Sequence, residues 1–189
     1  MELWDIYDKN REKTGRTHER GIPVKEGDYH LVVHVWIVND GGEFLIQKRQ
    51  PWKEGWPNMW DGSAAGSAIV GDSSKDAAIR ETKEELGIDL EINKGEILFT
   101  VKFSSGFEDI WLVRQNVDIV DLKLQYEEVA GAKWASQQQI KQMISNGEFI
   151  AFKYIDKFFS MVNPNIKKPM FNDISEGKSL TSLSERHTL

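Results

Sequence analysis

The stretch from Gly66 to Ile88, GSAIVGDSSKDAAIRETKEELGI, most constrains what this 189-residue chain can fold into. In it, Glu81, Glu84 and Glu85 fall within about one and a half turns of a helix. Carboxylates three and four residues apart are neighbours on a helix surface, and they repel one another unless a cation lies between them. The spacing therefore predicts a helix that binds a divalent metal through hard oxygen ligands, with Mg²⁺ or Mn²⁺ as the expected ion.

The same stretch predicts how this helix begins and ends. Asp72, Ser73 and Ser74 offer N-cap side chains, and Gly87 is suited to end the helix in the left-handed region. Arg80 precedes Glu84 by four residues, so its guanidinium can hold one carboxylate while the others face a metal. A mostly apolar or small arc is predicted to pack against the protein, formed by Lys75, Ala78, Ile79, Thr82 and Leu86.

Acidic runs such as ETKEEL also occur on solvated helices, so the wider pattern decides between the two interpretations. The stretch resembles the Nudix box, G-x5-E-x7-R-E-U-x-E-E-x-G-U, where U is apolar. The matching residues are Gly66, Arg80, Glu81, Glu84, Glu85, Gly87 and Ile88. Asp72 stands where the family usually has Glu, and its side chain is one methylene shorter. Thr82 occupies an apolar position and is small enough to pack.

Length and composition predict one compact enzyme domain. With 189 residues, 40% of them hydrophobic, the chain can bury a sizeable core. We expect a single domain with an N-terminal hairpin over residues 1–165 and a polar C-terminal tail over 166–189. A net charge of −6 argues against binding a nucleic acid polymer.

Neither a membrane-spanning run nor a signal-peptide pattern is found in the sequence, so we expect a cytoplasmic protein without a membrane partner. The absence of cysteine excludes disulfides, thiolate metal sites and cysteine nucleophiles. The sequence leaves the oligomeric state open, with a homodimer among the options.

The rest of the chain predicts alternating strands and helices. The expected strands are Trp4 to Tyr7, Arg16 to Arg20, His30 to Val38, Glu43 to Arg49, Glu96 to Phe103, Ile110 to Val117 and Gly131 to Trp134. The turn NDGG joins two of these strands into a hairpin. A helix is expected after the N-cap Ser136, and a last helix over Ala151 to Met161.

This order of elements is similar to the Nudix fold, an α/β fold in which a mixed β-sheet is sandwiched between helices and the box forms a loop–helix–loop. The resemblance spans residues 3–162 and is strongest to the branch related to isopentenyl-diphosphate isomerase. It rests on the segments WDIYDKNREKTGRTHERG, YHLVVHVWIVN, LIQKR and WPNMWDGSAAG.

The resemblance implies Mg²⁺-dependent hydrolysis, with Mn²⁺ as a substitute, of a diphosphate linkage in a small molecule such as a nucleoside diphosphate linked to X. It implies metal ligands at Glu81, Glu84, Glu85 and the Gly66 carbonyl, and catalytic roles for Arg80, Glu81 and Glu84. The general base stays open, because in this superfamily it often comes from another loop. The alternatives to Glu84 are Glu108, Asp109, Glu127 and Glu128.

Substrate-binding residues are expected just before the box. Lys48 and Arg49 end a strand there and can meet phosphate oxygens, and Trp60 belongs to a group with Trp52 and Trp56 that can stack on a base or cover an apolar tail. The alternative is that the tryptophans pack the core and the cations are solvated. We assign no chemistry to His18, His34 or His187, which have no partner at ligand spacing.

Two other functions are compatible with the resemblance. An isopentenyl-diphosphate isomerase uses a cysteine just before the first glycine of the box and a ligand histidine just after it, where this chain has Ala65 and Ser67. His30 matches another isomerase histidine. A non-catalytic nucleotide-binding Nudix domain tends to lose box carboxylates, whereas Glu81, Glu84 and Glu85 are all present here.

Overall fold

The fold is built around a mixed β-sheet with helices on both faces. The computed structural model describes residues 2–162. Its strands are β1 Leu3–Tyr7, β2 Lys13–Glu19, β3 His30–Val38, β4 Phe44–Arg49, β5 Trp60–Asp61, β6 Ala64–Ser67, β7 Gly95–Phe103, β8 Gly106–Arg114 and β9 Val129–Ala135. Its helices are α1 Ser74–Leu86, α2 Gln137–Ser145 and α3 Ile155–Val162, with 3₁₀ turns at Ile92–Lys94 and Ile119–Asp121.

Strand β3 organises the main sheet, whose order is β5-β4-β3-β8-β7, with β6 added to β3 and β9 added to β4. β3 and β8 run parallel over their whole lengths, and the other pairs are antiparallel. Because side chains alternate between the two faces of a strand, β3 contributes to the core on both sides. Buried Val33 and Val35 face one core cluster, and buried Trp36 and Val38 face the other.

The two core clusters place one helix layer on each face. Ala77, Ala78 and Leu86 of α1 pack in one cluster, whereas Ile140 of α2 and Phe158 of α3 pack in the other. The predicted α/β Nudix-type architecture, a mixed sheet between helices, is therefore confirmed. No helix within residues 2–162 is long and apolar enough to cross a membrane.

The N-terminal hairpin, strands β1 and β2, forms a separate two-stranded sheet that packs beside β3. The Leu3 carbonyl accepts a hydrogen bond from the Val70 amide (2.9 Å), and Asp5 Oδ2 accepts one from the Gly71 amide (3.0 Å). On the other side, Arg11 forms an ion pair with the fully buried Asp109. The two hydrogen bonds hold the hairpin against the loop that leads into α1, and the ion pair holds it against β8.

Several predicted boundaries are wrong. The second hairpin strand begins at Lys13 rather than Arg16. The strand predicted over Ile110 to Val117 is β8, which begins at Gly106 and ends at Arg114. Its first residues did not resemble a strand because they include two carboxylates. One of these, Asp109, is buried and receives hydrogen bonds from Arg11 and from Thr100 Oγ1.

The two helix predictions also need correction. The last helix begins at Ile155 rather than Ala151, because the preceding residues make a turn in which the Phe152 amide donates to the Ile150 carbonyl (3.0 Å). On α1, Lys75 is exposed and Ala77 is buried in its place. The expected domain end at residue 165 and the tail over 166–189 lie outside the described residues and stay predictions.

Candidate functional site

Helix α1 carries the acidic residues of the site, and both of its ends are fixed by side-chain or backbone caps. Ser73 is the N-cap, and it exchanges hydrogen bonds with Asp76 in a capping box. Gly87 ends the helix at φ +73°, in the left-handed region that glycine adopts without strain. Caps at both termini give the carboxylates between them a defined direction.

The three box glutamates differ sharply in environment. Glu85 is buried and accepts hydrogen bonds from Gln47 Nε2 (2.7 Å) and from the Ala65 amide (3.3 Å). The side chain of Glu84 is 51% exposed, whereas that of Glu81 is 14% exposed. Glu81 lies directly against Gly66, where an added Cβ would approach its carboxyl carbon to 2.0 Å. The absence of a side chain at Gly66 therefore makes room for the Glu81 carboxylate.

Arg80 ties the box loop to the helix. Its Nη1 donates to Glu81 Oε1 (2.8 Å) and to Glu84 Oε2 (3.2 Å), and its Nη2 donates to the Ser67 carbonyl (2.9 Å). Asp72 Oδ2 accepts from both Nε (3.2 Å) and Nη2 (3.0 Å) of the same guanidinium. Asp72, whose shorter side chain left its part in the site open, thus still reaches Arg80.

Burial disfavours the ionised forms of Glu81 and Glu85. Burial raises the pKa of Glu81 to about 7, against the opposing effect of Arg80. Burial, together with the charge of Glu81, raises the pKa of Glu85 to about 8. The pKa of Arg80 itself is raised, because the charges of Glu81 and Asp72 outweigh its own burial. On the α1 side of the cleft, Arg80 is the cation that faces four carboxylates, those of Asp72, Glu81, Glu84 and Glu85.

The donor set fits a hard divalent cation that keeps part of its coordination for other ligands. Within residues 2–162, no three acidic or histidine side chains converge into a ready-made cage for a metal ion. Glu81 and Glu85 are nevertheless neighbours beside Gly66 with raised pKa values. Mg²⁺ commonly uses one or two protein carboxylates and completes its shell with water and substrate phosphates. The predicted ligand Glu84 lies further out, at the exposed rim.

These residues line a cleft of about 330 Å³, which we call the box cleft. Cations also line it. The cleft residues are Glu2, Arg20, Val32, Arg49, Lys53, Ala65, Gly66, Ser67, Arg80, Glu81, Glu84, Glu85, Gln125 and Glu128. A cleft with carboxylates on one wall and guanidinium and ammonium groups beside them can hold a phosphorylated ligand together with a metal.

The structure brings only one of the three predicted substrate-binding residues to this cleft. Arg49 lines it, and its Nε donates to the Gly55 carbonyl (2.9 Å). Trp60 packs against the core on the α2–α3 face, where Lys133 Nζ lies 4.3 Å from the centre of its ring. Lys48 is directly opposite Trp60 across the β4–β5 pair and so shares that face.

Of the four general-base alternatives outside the box, only Glu128 lines the cleft, where it is paired with Lys53. Asp109 is buried under the hairpin with Arg11. Glu127 is exposed, and its backbone carbonyl accepts a hydrogen bond from Trp52 Nε1. Glu108 points to His34, with Oε1 at 3.5 Å from Nδ1. Glu84 and Glu128 are therefore the candidates for the general base that line the cleft.

Behind the cleft lies a buried polar cluster of His34, Asp61, Glu108 and Tyr154, which the sequence did not predict. His34 lies 3.3 Å from Asp61 Oδ1 through Nε2, and its Nδ1 is 2.7 Å from Tyr154 Oη. Asp61 also accepts a hydrogen bond from Arg49 Nη1 (3.3 Å), which links the cluster to the cleft. The available signal was the histidine inside an otherwise apolar strand, because a buried polar side chain requires partners.

Comparison with known proteins agrees with this geometry. The family model described as NUDIX domain matches residues 28–158. An uncharacterized Nudix hydrolase of Listeria monocytogenes is 47% identical over 163 residues, covering 86% of this chain and 96% of that protein. The solved structure of DR0079 from Deinococcus radiodurans has a TM-score of 0.69 at 22% identity, covering 86% of this chain and 99% of that one.

The chain therefore belongs to the Nudix family, and the Listeria relative, which it matches over 96% of that protein's length, is named a Nudix hydrolase. A match to the isopentenyl-diphosphate isomerase of Paenarthrobacter aurescens is shorter, at 33% identity over 44% of this chain and 45% of that protein. Where the isomerase resemblance calls for a cysteine and a histidine, Ala65 and Ser67 contribute a backbone amide to Glu85 and a backbone carbonyl to Arg80.

Proposed function

We propose that this protein hydrolyses the diphosphate linkage of a small molecule of the type nucleoside diphosphate linked to X, in a reaction that depends on Mg²⁺ or Mn²⁺. The observation that carries the proposal is the pairing of Glu81 and Glu85 beside Gly66, in a cleft also lined by Arg49 and Lys53. A diphosphate and a divalent cation supply the opposite charges that such a cleft lacks.

Glu81, Glu85 and the carbonyl of Gly66 would hold the cation, with Glu84 as an outer ligand. When bound, a divalent cation neutralises phosphate oxygens and lowers the pKa of the attacking water. Arg80 has an orienting role, since it bonds simultaneously to Glu81, Glu84 and the box loop. Loss of Arg80 would leave these carboxylates free to move away from their common site.

In the reaction, a water oxygen forms a new bond to one phosphorus, and the bridging P–O bond breaks. The bridging oxygen keeps the electron pair and leaves on the second phosphate. A general base takes the proton of the water. Among the candidate bases, Glu84 and Glu128 line the cleft and are partly exposed, at 51% and 29%, and we propose that one of them is this base.

Two exposed aromatic side chains beside the cleft support a nucleoside as the second part of the substrate. Trp52 and Tyr126 are 54% and 70% exposed, and their ring centres are 5.3 Å apart. Trp52 Nε1 donates to the Glu127 carbonyl (3.2 Å), and Gln50 Nε2 donates to the backbone carbonyl of Tyr126 (2.7 Å). Exposed aromatic rings are suited to stacking on a planar base.

The proposal is tested by measuring phosphate release, coupled to a phosphatase, from a panel of diphosphates with Mg²⁺ or Mn²⁺. The panel contains ADP-ribose, nucleotide sugars, nucleoside triphosphates and isoprenoid diphosphates. We expect turnover of nucleoside diphosphate derivatives and a lower kcat/KM for them in Trp52→Ala. Isomerisation of isopentenyl diphosphate, or an absence of turnover in a folded protein that binds metal, would contradict the proposal.

A further inference from the structure

Glu2 and Arg20, at the two ends of the N-terminal hairpin, line the same cleft as Gly66, Glu81 and Glu85. The Arg20 amide donates to the Glu2 carbonyl (3.0 Å), which closes the open end of the hairpin. Both residues precede the segment 28–158 that the family model matches. One wall of the box cleft is therefore built by an element outside the segment that the family model matches.

The hairpin is held in a fixed position relative to the box loop. The Val70 amide donates to the Leu3 carbonyl (2.9 Å), and the Gly71 amide donates to Asp5 Oδ2 (3.0 Å). Lys13 Nζ also donates to the carbonyl of Asp72 (3.3 Å), the residue whose side chain holds Arg80. These contacts lie just before the start of α1. They therefore fix the position of Arg20 relative to the carboxylates of that helix.

Of the cations that line the cleft, Arg20 forms the most exposed ion pair. Arg80 is shared among Asp72, Glu81 and Glu84. The side chains of Lys53 and Glu128 are 19% and 29% exposed in their ion pair, and Arg49 is 19% exposed against the buried Asp61.

Arg20 Nη1, in contrast, donates to Glu2 Oε2 (2.9 Å) in a pair whose side chains are 57% and 34% exposed. An exposed pair of this kind contributes little to stability, so its guanidinium can change partner at little cost. The planar fork of arginine also matches phosphate oxygens better than it matches a single carboxylate oxygen.

We propose that Arg20 is a substrate-binding residue, whose guanidinium leaves Glu2 and binds a phosphate oxygen of the diphosphate substrate. This inference rests on the proposed function, because it assumes that a diphosphate occupies the box cleft. It makes the N-terminal hairpin a part of the substrate site. Glu2 is then the resting partner of Arg20 and competes with the substrate for it.

The test is calorimetric binding of α,β-methylene-ADP, a diphosphate that cannot be hydrolysed, in the presence of Mg²⁺. Arg20→Gln removes the proposed ligand, and Glu2→Gln removes its competitor. Arg16→Gln is the matched control, since Arg16 lies in the same hairpin, is 56% exposed and is paired with Asp28 away from the cleft. Thermal unfolding of each variant checks that the hairpin remains folded.

We expect Arg20→Gln to raise the Kd of the probe about tenfold, the loss of one charge-assisted hydrogen bond to phosphate. Glu2→Gln should bind as tightly as the unmodified protein or more tightly, and Arg16→Gln should be unchanged. Equal Kd values for Arg20→Gln and Arg16→Gln would overturn the inference. So would an equal loss in Glu2→Gln and Arg20→Gln, which would indicate a purely structural ion pair.

Binding of the probe and hydrolysis of the panel are measured separately and can be lost separately. A protein that binds α,β-methylene-ADP through Arg20 but hydrolyses no compound of the panel would contradict the hydrolysis and support the inference. A protein that hydrolyses the panel but binds the probe equally well as Arg20→Gln would contradict the inference alone. A protein that neither binds the probe nor hydrolyses the panel would overturn both.

Discussion

His34 is a fully buried histidine whose surroundings favour its charged form. Its side chain is 1% exposed and lies between the carboxylates of Asp61 and Glu108. Burial opposes the charged form, but the hydrogen bonds and charges of the two carboxylates outweigh it and raise the pKa of His34 to about 9. The same contact keeps the pKa of Asp61 below its ordinary value despite burial. The cluster therefore holds His34 against two carboxylates directly behind the cleft.

This charge predicts how stability depends on pH. In the unfolded chain His34 titrates near pH 6.5, so its native charge contributes stability that is fully present below that pH. The contribution is lost as the pH rises from 6.5 through about 9. We expect the free energy of unfolding, measured in urea, to fall over this range by at most about 3 kcal/mol through this group.

The variant His34→Gln isolates this contribution, because it removes the titrating group and retains a polar side chain. Its deficit in the free energy of unfolding should be largest at pH 6 and should shrink as the pH approaches 9. Two curves that run parallel over this range would show that folding does not raise the pKa of His34.

Gly66 predicts a second effect at the residue scale. In Gly66→Ala, the new Cβ would meet the carboxylate of Glu81 at 2.0–2.3 Å, so Glu81 must move. We expect kcat/KM to fall about 100-fold or more, the usual cost of a displacement of about 1 Å in a catalytic group. The matched control is Gly131→Ala in β9, where the added Cβ meets nothing within 4 Å. Equal activities of the two variants would show that the contact with Glu81 is unimportant.

At the scale of elements, an ion pair anchors the N-terminal hairpin to β8, in addition to the packing of β1 beside β3. Arg11 is bonded to Asp109, which is fully buried, and to Thr100 Oγ1 (2.9 Å). In Arg11→Gln, Asp109 loses its charged partner while remaining buried. We expect unfolding in urea to show a loss of about 2–3 kcal/mol, less than for a fully buried pair because the Arg11 side chain is 33% exposed.

The control for this variant is Arg16→Gln, which breaks the exposed pair between Arg16 of the same hairpin and Asp28. Exposed pairs contribute about 0–1 kcal/mol, so its loss should be smaller. A loss in Arg11→Gln no larger than in Arg16→Gln would contradict a role for Asp109 as an anchor of the hairpin.

The elements with local signals could be predicted from the sequence, and those that depend on distant partners could not. Helix α1 was predicted from its own residues, with Ser73 among the caps and Gly87 at its end, because caps act within a few residues. The start of β8 was missed because Asp109 becomes compatible with a buried strand only when Arg11 reaches it. Sequence spacing carries no information about such a contact.

In the candidate site too, residues positioned by local spacing could be predicted, and residues positioned by distant contacts could not. The box glutamates and Arg80 could be predicted because one helix positions them. Lys48 and Trp60 were assigned to the substrate with Arg49, but alternation along β4 and β5 turns them to the opposite face. Only the register of the strand decides which of two neighbouring cations faces the cleft.

At the scale of the whole molecule, the cleft combines elements that are far apart in the sequence. The hairpin contributes Arg20, the end of β4 contributes Arg49, and the loop before β9 contributes Glu128. All three surround the carboxylates of α1. The protein has a net charge of −6, so the proposed diphosphate substrate would be attracted by this local arrangement and by a bound cation rather than by the charge of the whole molecule.

The most direct test of the account is the Mg²⁺ dependence of turnover in Glu85→Gln, with the best substrate of the diphosphate panel. Glu148→Gln is the control, since Glu148 is exposed and lies outside the box cleft. We expect the unmodified protein and Glu148→Gln to turn over only with a divalent cation and to stop on chelation. Glu85→Gln should retain about a thousandth of the activity or less, the loss of about 4 kcal/mol of transition-state stabilisation. Turnover that survives chelation, or equal activity in Glu85→Gln and Glu148→Gln, would contradict metal-assisted hydrolysis at this site.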